Sequence, residues 1–305
     1  MAPNPGPQVV TLRSARLRAE VLPGAAGGLA RLDWLGGSAA QPVLRPWTRA
    51  EGGPLPGTSQ LACFPLLPWS NRIDPRGFVF DGRTIAPAPN RPGEPCPIHG
   101  DGWQHPWRVA AQSTDSVTLL LDRGEGVPFS YRARLRYLLG ESALDVALEV
   151  TNTGQAALPF GLGLHPWLPR RLGVTLQAHA RGTWTRGPLG LPLDAIGLPA
   201  AWDFAAPRTL PEEGVDHAFR GWDGRAMIRW PDTGLALEIA ADMAYFILYA
   251  PAGKDFFCFE PVDHAINAHN VPGGVPHNGL TVLAPGASLE RRVAFRVHGP
   301  SLEHP

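Results

Sequence analysis

Glycine and proline make up more than a fifth of this 305-residue chain, 35 of one and 34 of the other, and they are spread along it instead of pooled in a linker. Proline removes a backbone donor and fixes φ, and glycine weakens any helix interior it enters. A chain punctuated this often is cut into short segments, which argues against long helices. The segments between are strand-like: Val9–Leu12, Leu17–Val21, Val117–Leu121, Tyr131–Leu139, Ala143–Thr151, Ala226–Trp230, Leu235–Ala240, Tyr245–Tyr249, Phe256–Glu260 and Arg291–Val297. Tyr131 to Tyr137 alternates apolar residues with arginine, and Leu144, Val146, Leu148 and Val150 alternate with Asp145, Ala147 and Glu149. Both are half-buried antiparallel strands by their period of two, with Gly140-Glu141 as the turn of a hairpin.

Strands without helical segments between them favour a sandwich or barrel over a parallel α/β sheet. No repeat and no break in composition marks a boundary, so residues 1–305 are expected to form one large all-β domain. Hydrophobic content of 44% supplies a sizeable core. Net charge is zero, from 27 basic and 27 acidic residues, which leaves no footprint for nucleic acid or an anionic membrane. Lys254 is the one lysine, so positive charge is almost wholly arginine.

The opening MAPNPGPQVV has neither a basic nor an apolar leader region, and no run approaches a membrane span, so neither a secretory signal nor a transmembrane helix is expected. Cys63, Cys96 and Cys258 are widely spaced without a CxxC pair, which reads as reduced structural thiols in a cytoplasmic protein.

Residues with chemistry cluster in four Gly/Pro-rich places. PWSNRIDPRG holds Asn71, Arg72 and Asp74, either a turn cap or an arginine fork for ligand oxygens. CPIHGDGWQHPW holds His99, His105, Trp103 and Trp107; Gly100 and Gly102 let the backbone fold tightly around His99, and the indoles suit a sugar face or an ordinary core. PFGLGLHPWLP holds His165 at a constrained strand end, beside Trp167. FFCFEPVDHAINAHN brings Glu260 to the end of an apolar run, where Pro261 is expected to stop the strand, and continues through Asp263, His264, Asn267, His269 and Asn270.

Histidine spacings are poor for a metal, with no HxxxH, HExxH or CxxC, and none is assigned. The signals of acyl transfer, nucleotide hydrolysis and dinucleotide chemistry are missing too. A histidine and a glutamate tuned by apolar neighbours, without nucleophile, metal or cofactor, suit proton movement.

NRI with G-F-x-F-x-G, then I-H-G, G-L-H-P-W, D-H-A-F and F-C-F-E-P, in that order from Leu61 to Asn270, resembles the aldose 1-epimerase (galactose mutarotase) family. The resemblance implies a large antiparallel β-sandwich, the galactose mutarotase-like supersandwich, with an open cleft across the sheet. It also implies cofactor-free interconversion of the α and β anomers of a free aldose. By position it makes Glu260 the general base, His165 the general acid, His99 the second active-site histidine, Arg72 a substrate-binding arginine and Asp216 the holder of sugar hydroxyls. Asn71 and Trp167 complete the expected substrate-binding set. His165-Pro166-Trp167-Leu168 replaces the His-Ser-Tyr-Phe-Asn stretch of the best-known galactose mutarotases and looks more like the divergent bacterial branch. Three alternatives stay open: a hexose-6-phosphate mutarotase, for which Arg31, Arg45, Arg76 or Arg91 could hold phosphate; a non-catalytic sugar-binding or regulatory module; and a polysaccharide lyase or other supersandwich relative. The expected partner is a monosaccharide, and the protein a monomer or homodimer.

Overall fold

A computed structural model of the chain describes residues 8–48, 53–124 and 128–300; the first seven residues of the opening stretch read above for a leader lie outside it. Every strand pair within its sheets is antiparallel, and its helices are four single 3-10 turns among the described residues. The hairpin at Gly140 forms as its alternation predicts: Tyr131–Leu139 pairs with Ala143–Asn152, Leu135 opposite Leu148. Among the described residues, no helix is long and apolar enough to cross a membrane.

Two large sheets face one another. One has nine strands, with Ser288–His298 and the 131–152 hairpin at its centre. The other has eight and is built around Tyr245–Ala250 and Phe256–Val262, which pair with each other and are flanked by Val215–Arg220 on one side and by Gly163–Leu164 and Trp167–Pro169 on the other. Strand side chains alternate between faces. Phe246, Leu248, Phe257 and Phe259 point into the core between the sheets, with Phe246 stacked on Phe259 at 4.5 Å, while Ile247, Tyr249, Cys258 and Glu260 point the other way. A smaller sheet, Val10–Arg13 through Gln41–Pro42, continues the sandwich through a bridge between Leu29 and Cys63.

One expectation is corrected. Pro261 does not end its strand; the ladder runs on through Val262, with Pro261 opposite Phe246 and Val262 opposite Tyr245. Proline is tolerated because the neighbour on its other side is interrupted there. Gly163 pairs with Val262 and Trp167 with Cys258, but His165 and Pro166 leave the ladder, and His165 N–H donates instead to the Phe64 carbonyl. The break thus contains a proline on each strand, where neither is required to donate.

Candidate functional site

The break in pairing is where the chemistry gathers. The register is the same on both sides of it, since Gly163–Val262 and Trp167–Cys258 belong to one alignment, so His165 lies directly opposite Glu260. Two neighbouring rungs of one sheet face follow from the pairings. Asp216, Tyr249, Cys258 and Trp167 form one; Ala218, Ile247, Glu260 and His165 form the other. Asp216, Tyr249, Trp167, Ile247, Glu260 and His165 floor a cleft of about 650 Å³, walled by Phe64, Asn71, Arg72, His99 and Trp103, while Cys258 and Ala218 lie buried beneath it. All seven site residues expected from the sequence line this cleft.

Glu260 and His165 are buried, 2% and 7% exposed, and His165 Nε2 is 3.3 Å from Glu260 Oε1. Burial pushes the Glu260 carboxyl well above its ordinary value, nearby Asp216 adds to the rise and Arg72 opposes it. Burial pulls His165 down to about 3, and the charges of Arg45 and Arg91 act in the same direction. Removing water disfavours both charged forms, which favours a neutral carboxyl beside a neutral imidazole over an ion pair. Among the described residues, His165 Nδ1 and Glu260 Oε2 have no hydrogen-bond partner from another residue.

The imidazole is held flat by aromatic rings. Phe64 stacks on it at 4.6 Å and Trp167 at 5.3 Å, both at 20°, and the Arg45 guanidinium sits 3.9 Å above the Trp167 ring. Trp167 follows from the strand period, because positions 165 and 167 share a face. Phe64 has no signal in the sequence, where Arg45 is only one of four arginines that could hold phosphate; a third plane and a cation from distant loops come to the imidazole only in space.

His99 is fixed by its own backbone. It and Asn71 both adopt positive φ, 61° and 53°, a region few residues other than glycine occupy. His99 N–H donates to the Asn71 carbonyl at 2.9 Å, and Asn71 N–H donates to His99 Nδ1 at 3.0 Å. Nδ1 is therefore an acceptor, and the ring proton of neutral His99 is on Nε2. Burial first, then the charge of His165, hold its pKa well below the ordinary histidine value. Gly100 permits the turn, as expected: it has φ 64°, and a Cβ there would lie 1.9 Å from the Leu67 carbonyl oxygen.

Arg72 is less free than a substrate fork. Its Nε and Nη2 donate to Glu94 Oε2 at 3.1 and 2.7 Å, and Nη1 donates weakly to Asn71 Oδ1 at 3.5 Å. Glu94 was not anticipated. Asp216 Oδ2 accepts from Arg186 Nη1 at 2.7 Å, with its other carboxylate oxygen uncommitted among the described bonds. Of the remaining candidates, Trp107 is core, Asp263 is buried against Arg291, and Asn267 caps the turn at Asp74. His264 accepts from Ser70 N–H, and His269 packs on Phe78; neither lines the cleft.

A fully antiparallel sandwich carrying a buried His–Glu pair at the floor of an open cleft agrees with comparison to known proteins. The chain belongs to the aldose 1-epimerase family, whose model matches residues 8–296. The Escherichia coli (strain K12) protein YphB, itself uncharacterized, is 35% identical over 266 residues, which span 84% of this chain and 89% of YphB. A crystal structure of a candidate aldose 1-epimerase from Escherichia coli K12 superposes with a TM-score of 0.87 at 31% identity, covering 96% of this chain and all of that one. A GalM/aldose epimerase homologue from C. elegans shares the fold with a TM-score of 0.79 at 15% identity over 97% of this chain and all of the other.

Proposed function

We propose that the cleft binds a free aldose and interconverts its α and β anomers by acid–base ring opening and closure. The observation that carries this is the His165–Glu260 pair, 3.3 Å apart and buried where a sugar-sized ligand would sit.

A hemiacetal opens when its C1 hydroxyl loses a proton and its ring oxygen gains one. Binding of the sugar oxygens draws the shared proton to His165 and leaves Glu260 as carboxylate. Glu260 takes the O1 proton while His165 Nε2 protonates the ring oxygen, and the C1–O5 bond breaks to give the aldehyde. Rotation about C1–C2 presents the other carbonyl face, and both transfers reverse on closure. The open-chain complex thus pairs a neutral Glu260 carboxyl with a neutral His165, the protonation state that burial favours. Stabilising that state lowers the barrier to opening.

His99 serves as a neutral Nε2–H donor to a sugar oxygen, not as the acid, because its Nδ1 is committed to Asn71. Arg72, held by Glu94, and Asp216, held by Arg186, contact the remaining hydroxyls, and Trp167 with Phe64 keeps the imidazole in plane. Asn71 acts through the His99 turn. Three free, buried thiols support a cytoplasmic location.

A 6-phosphate sugar is the second reading, favoured by Arg91. It lines the cleft with no ion pair within bonding distance among the described residues, whereas Arg31 and Arg76 pair with Asp33 and Asp74, and Arg45 is spent on Trp167. Polarimetry decides: freshly dissolved α-D-glucose and α-D-galactose relax faster with the wild-type protein and not with Glu260→Gln. Acceleration confined to glucose 6-phosphate would select the second reading, and no acceleration on any aldose would leave a sugar-binding module.

A further inference from the structure

The rung that holds Trp167 and Tyr249 also holds Cys258, two positions before Glu260 on the same strand and on the same sheet face. One nitrogen of His165, the Cys258 sulfur and one oxygen of Glu260 all lie within 4.8 Å of one another, and all three residues are buried. Among the described residues, no side chain or backbone group of another residue bonds His165 Nδ1 or Glu260 Oε2. The 3.3 Å between Nε2 and Oε1 matches the edge of a tetrahedron with metal–ligand bonds of about 2.0–2.1 Å. A thiolate, an imidazole and a carboxylate are the donor types that select a borderline-soft divalent ion such as zinc over magnesium or calcium. His165 and Glu260 line the cleft, from which a water or a sugar oxygen would complete the shell.

We propose that His165, Cys258 and Glu260 form an inhibitory transition-metal site, at which Zn²⁺ binds in competition with the sugar and takes the two groups that move protons. Binding forms a Zn–S, a Zn–N and a Zn–O bond. The Cys258 thiol proton and the proton shared by His165 and Glu260 leave to solvent. With the imidazole lone pair and the carboxylate both committed to the ion, neither can exchange a proton with a hemiacetal. Cys258 itself takes no part in proton transfer, so its replacement separates metal binding from catalysis. The binding site stands on geometry alone, whereas the inhibition rests on the mutarotase reading.

The test uses Co²⁺ as an optical probe and Zn²⁺ as the inhibitor, on the full-length protein. Co²⁺ titration of the wild type is expected to give a thiolate-to-cobalt charge-transfer band in the near ultraviolet and intense visible bands of a four-coordinate ion. Cys258→Ser should lose the charge-transfer band, and Cys63→Ala should keep it, which separates this thiol from the other cysteine near the site. In polarimetry, Zn²⁺ should inhibit the wild type competitively with aldose. Cys258→Ser, with a melting temperature near wild type, should keep its basal turnover and lose about tenfold or more of its zinc sensitivity. Should Cys258→Ser fail to fold, Cys258→Ala takes its place in both measurements. No charge-transfer band in the wild type, an unchanged band in the Cys258 variant, or equal zinc inhibition of both proteins overturns the site. A cobalt band in a protein without mutarotase activity upholds the site and overturns the catalytic reading instead.

Discussion

His165 Nε2 stands 3.3 Å from Glu260 Oε1, directly across two strands that keep their register but lose their hydrogen bonds between Leu164 and Trp167. The gap is built from Pro166 on one strand and Pro261 on the other, so these two backbones are not hydrogen-bonded to each other at this rung, while Glu260 stays paired with Ile247 on its other side and the side chains remain neighbours. Replacing Glu260 by Gln preserves shape and removes the base. Mutarotase turnover is expected to fall by about 10²- to 10⁴-fold, with thermal stability unchanged or slightly higher because a neutral amide replaces a buried acid. Polarimetry and a melting curve on the same preparation check both halves; turnover within a few-fold of wild type would remove Glu260 from the mechanism.

The pair works while it carries one proton, which sets the shape of the pH profile. Above the raised value of Glu260 that proton is lost; below about 3, where burial places His165, a second one is gained. Activity should therefore show no loss centred near 6.5 on the acid side, as an exposed histidine would give, and should decline on the alkaline side. Short assays from pH 4.5 to 9 test this. An acid limb at 6.5 would mean an imidazolium in the resting enzyme.

Stability has its own pH dependence, driven by four buried histidines. His165 and His269 are lowered to about 3, His264 to about 4, and His99 well below its ordinary value, in each case chiefly by burial. Below pH 6.5 the unfolded chain takes up protons that the folded one refuses, so their contribution is full above 6.5 and is lost as pH falls toward 3–4. Glu260 and Asp263, the latter raised to about 6, act with the opposite sign, since they keep protons in the folded state that the unfolded chain gives up. The histidines outnumber the two carboxyls, so unfolding near pH 5 takes up protons on balance and stability falls as pH drops through that range. Urea unfolding at pH 7, 6 and 5 measures this slope; a flat profile would show that the histidines are not neutral in the fold.

Arg45 is expected to matter out of proportion to its distance from the sugar. It lies 3.9 Å over Trp167, which in turn stacks on His165, and its charge helps to hold His165 down. Arg45→Leu removes a contact worth about 0.5–2 kcal/mol. The acid limb of the pH profile should move upward, and KM should rise more than kcat falls. A variant with an unchanged profile would reduce Arg45 to a surface residue.

Gly100→Ala tests the His99 turn. The added methyl group would overlap the Leu67 carbonyl at 1.9 Å in a residue already at φ 64°, so the turn must rearrange. Destabilisation of several kcal/mol is expected, with loss of sugar binding in whatever folded protein remains. Differential scanning fluorimetry with and without aldose separates the two effects.

Much of the fold was legible in the chain because its signals are local. Alternation at Tyr131–Leu139 and Ala143–Thr151 marked a hairpin that forms with the strands' own period, and frequent glycine and proline ruled out long helices. Strands such as Val215–Arg220 and Gly182–Arg186 carried weaker patterns, having Asp216, His217 and Arg186 among few alternating apolar residues, and were not anticipated. Pro261 misled for a related reason. Its missing donor is a local fact, but whether a donor is needed depends on the strand alongside, and that strand is broken at His165.

The site divides along the same line. Residue types and the order of short motifs, both properties of the chain read end to end, determined the family, the all-β class and seven of the residues that line the cleft. Tertiary structure alone decided that His165 meets Glu260 from about 95 residues away, that Glu94 holds Arg72, and that Phe64, Trp167 and Arg45 stack in sequence around one imidazole. It also decided that burial disfavours the charged form of both members of the acid–base pair. Pairing register and desolvation are set by which strands lie side by side, and no local pattern encodes that neighbour.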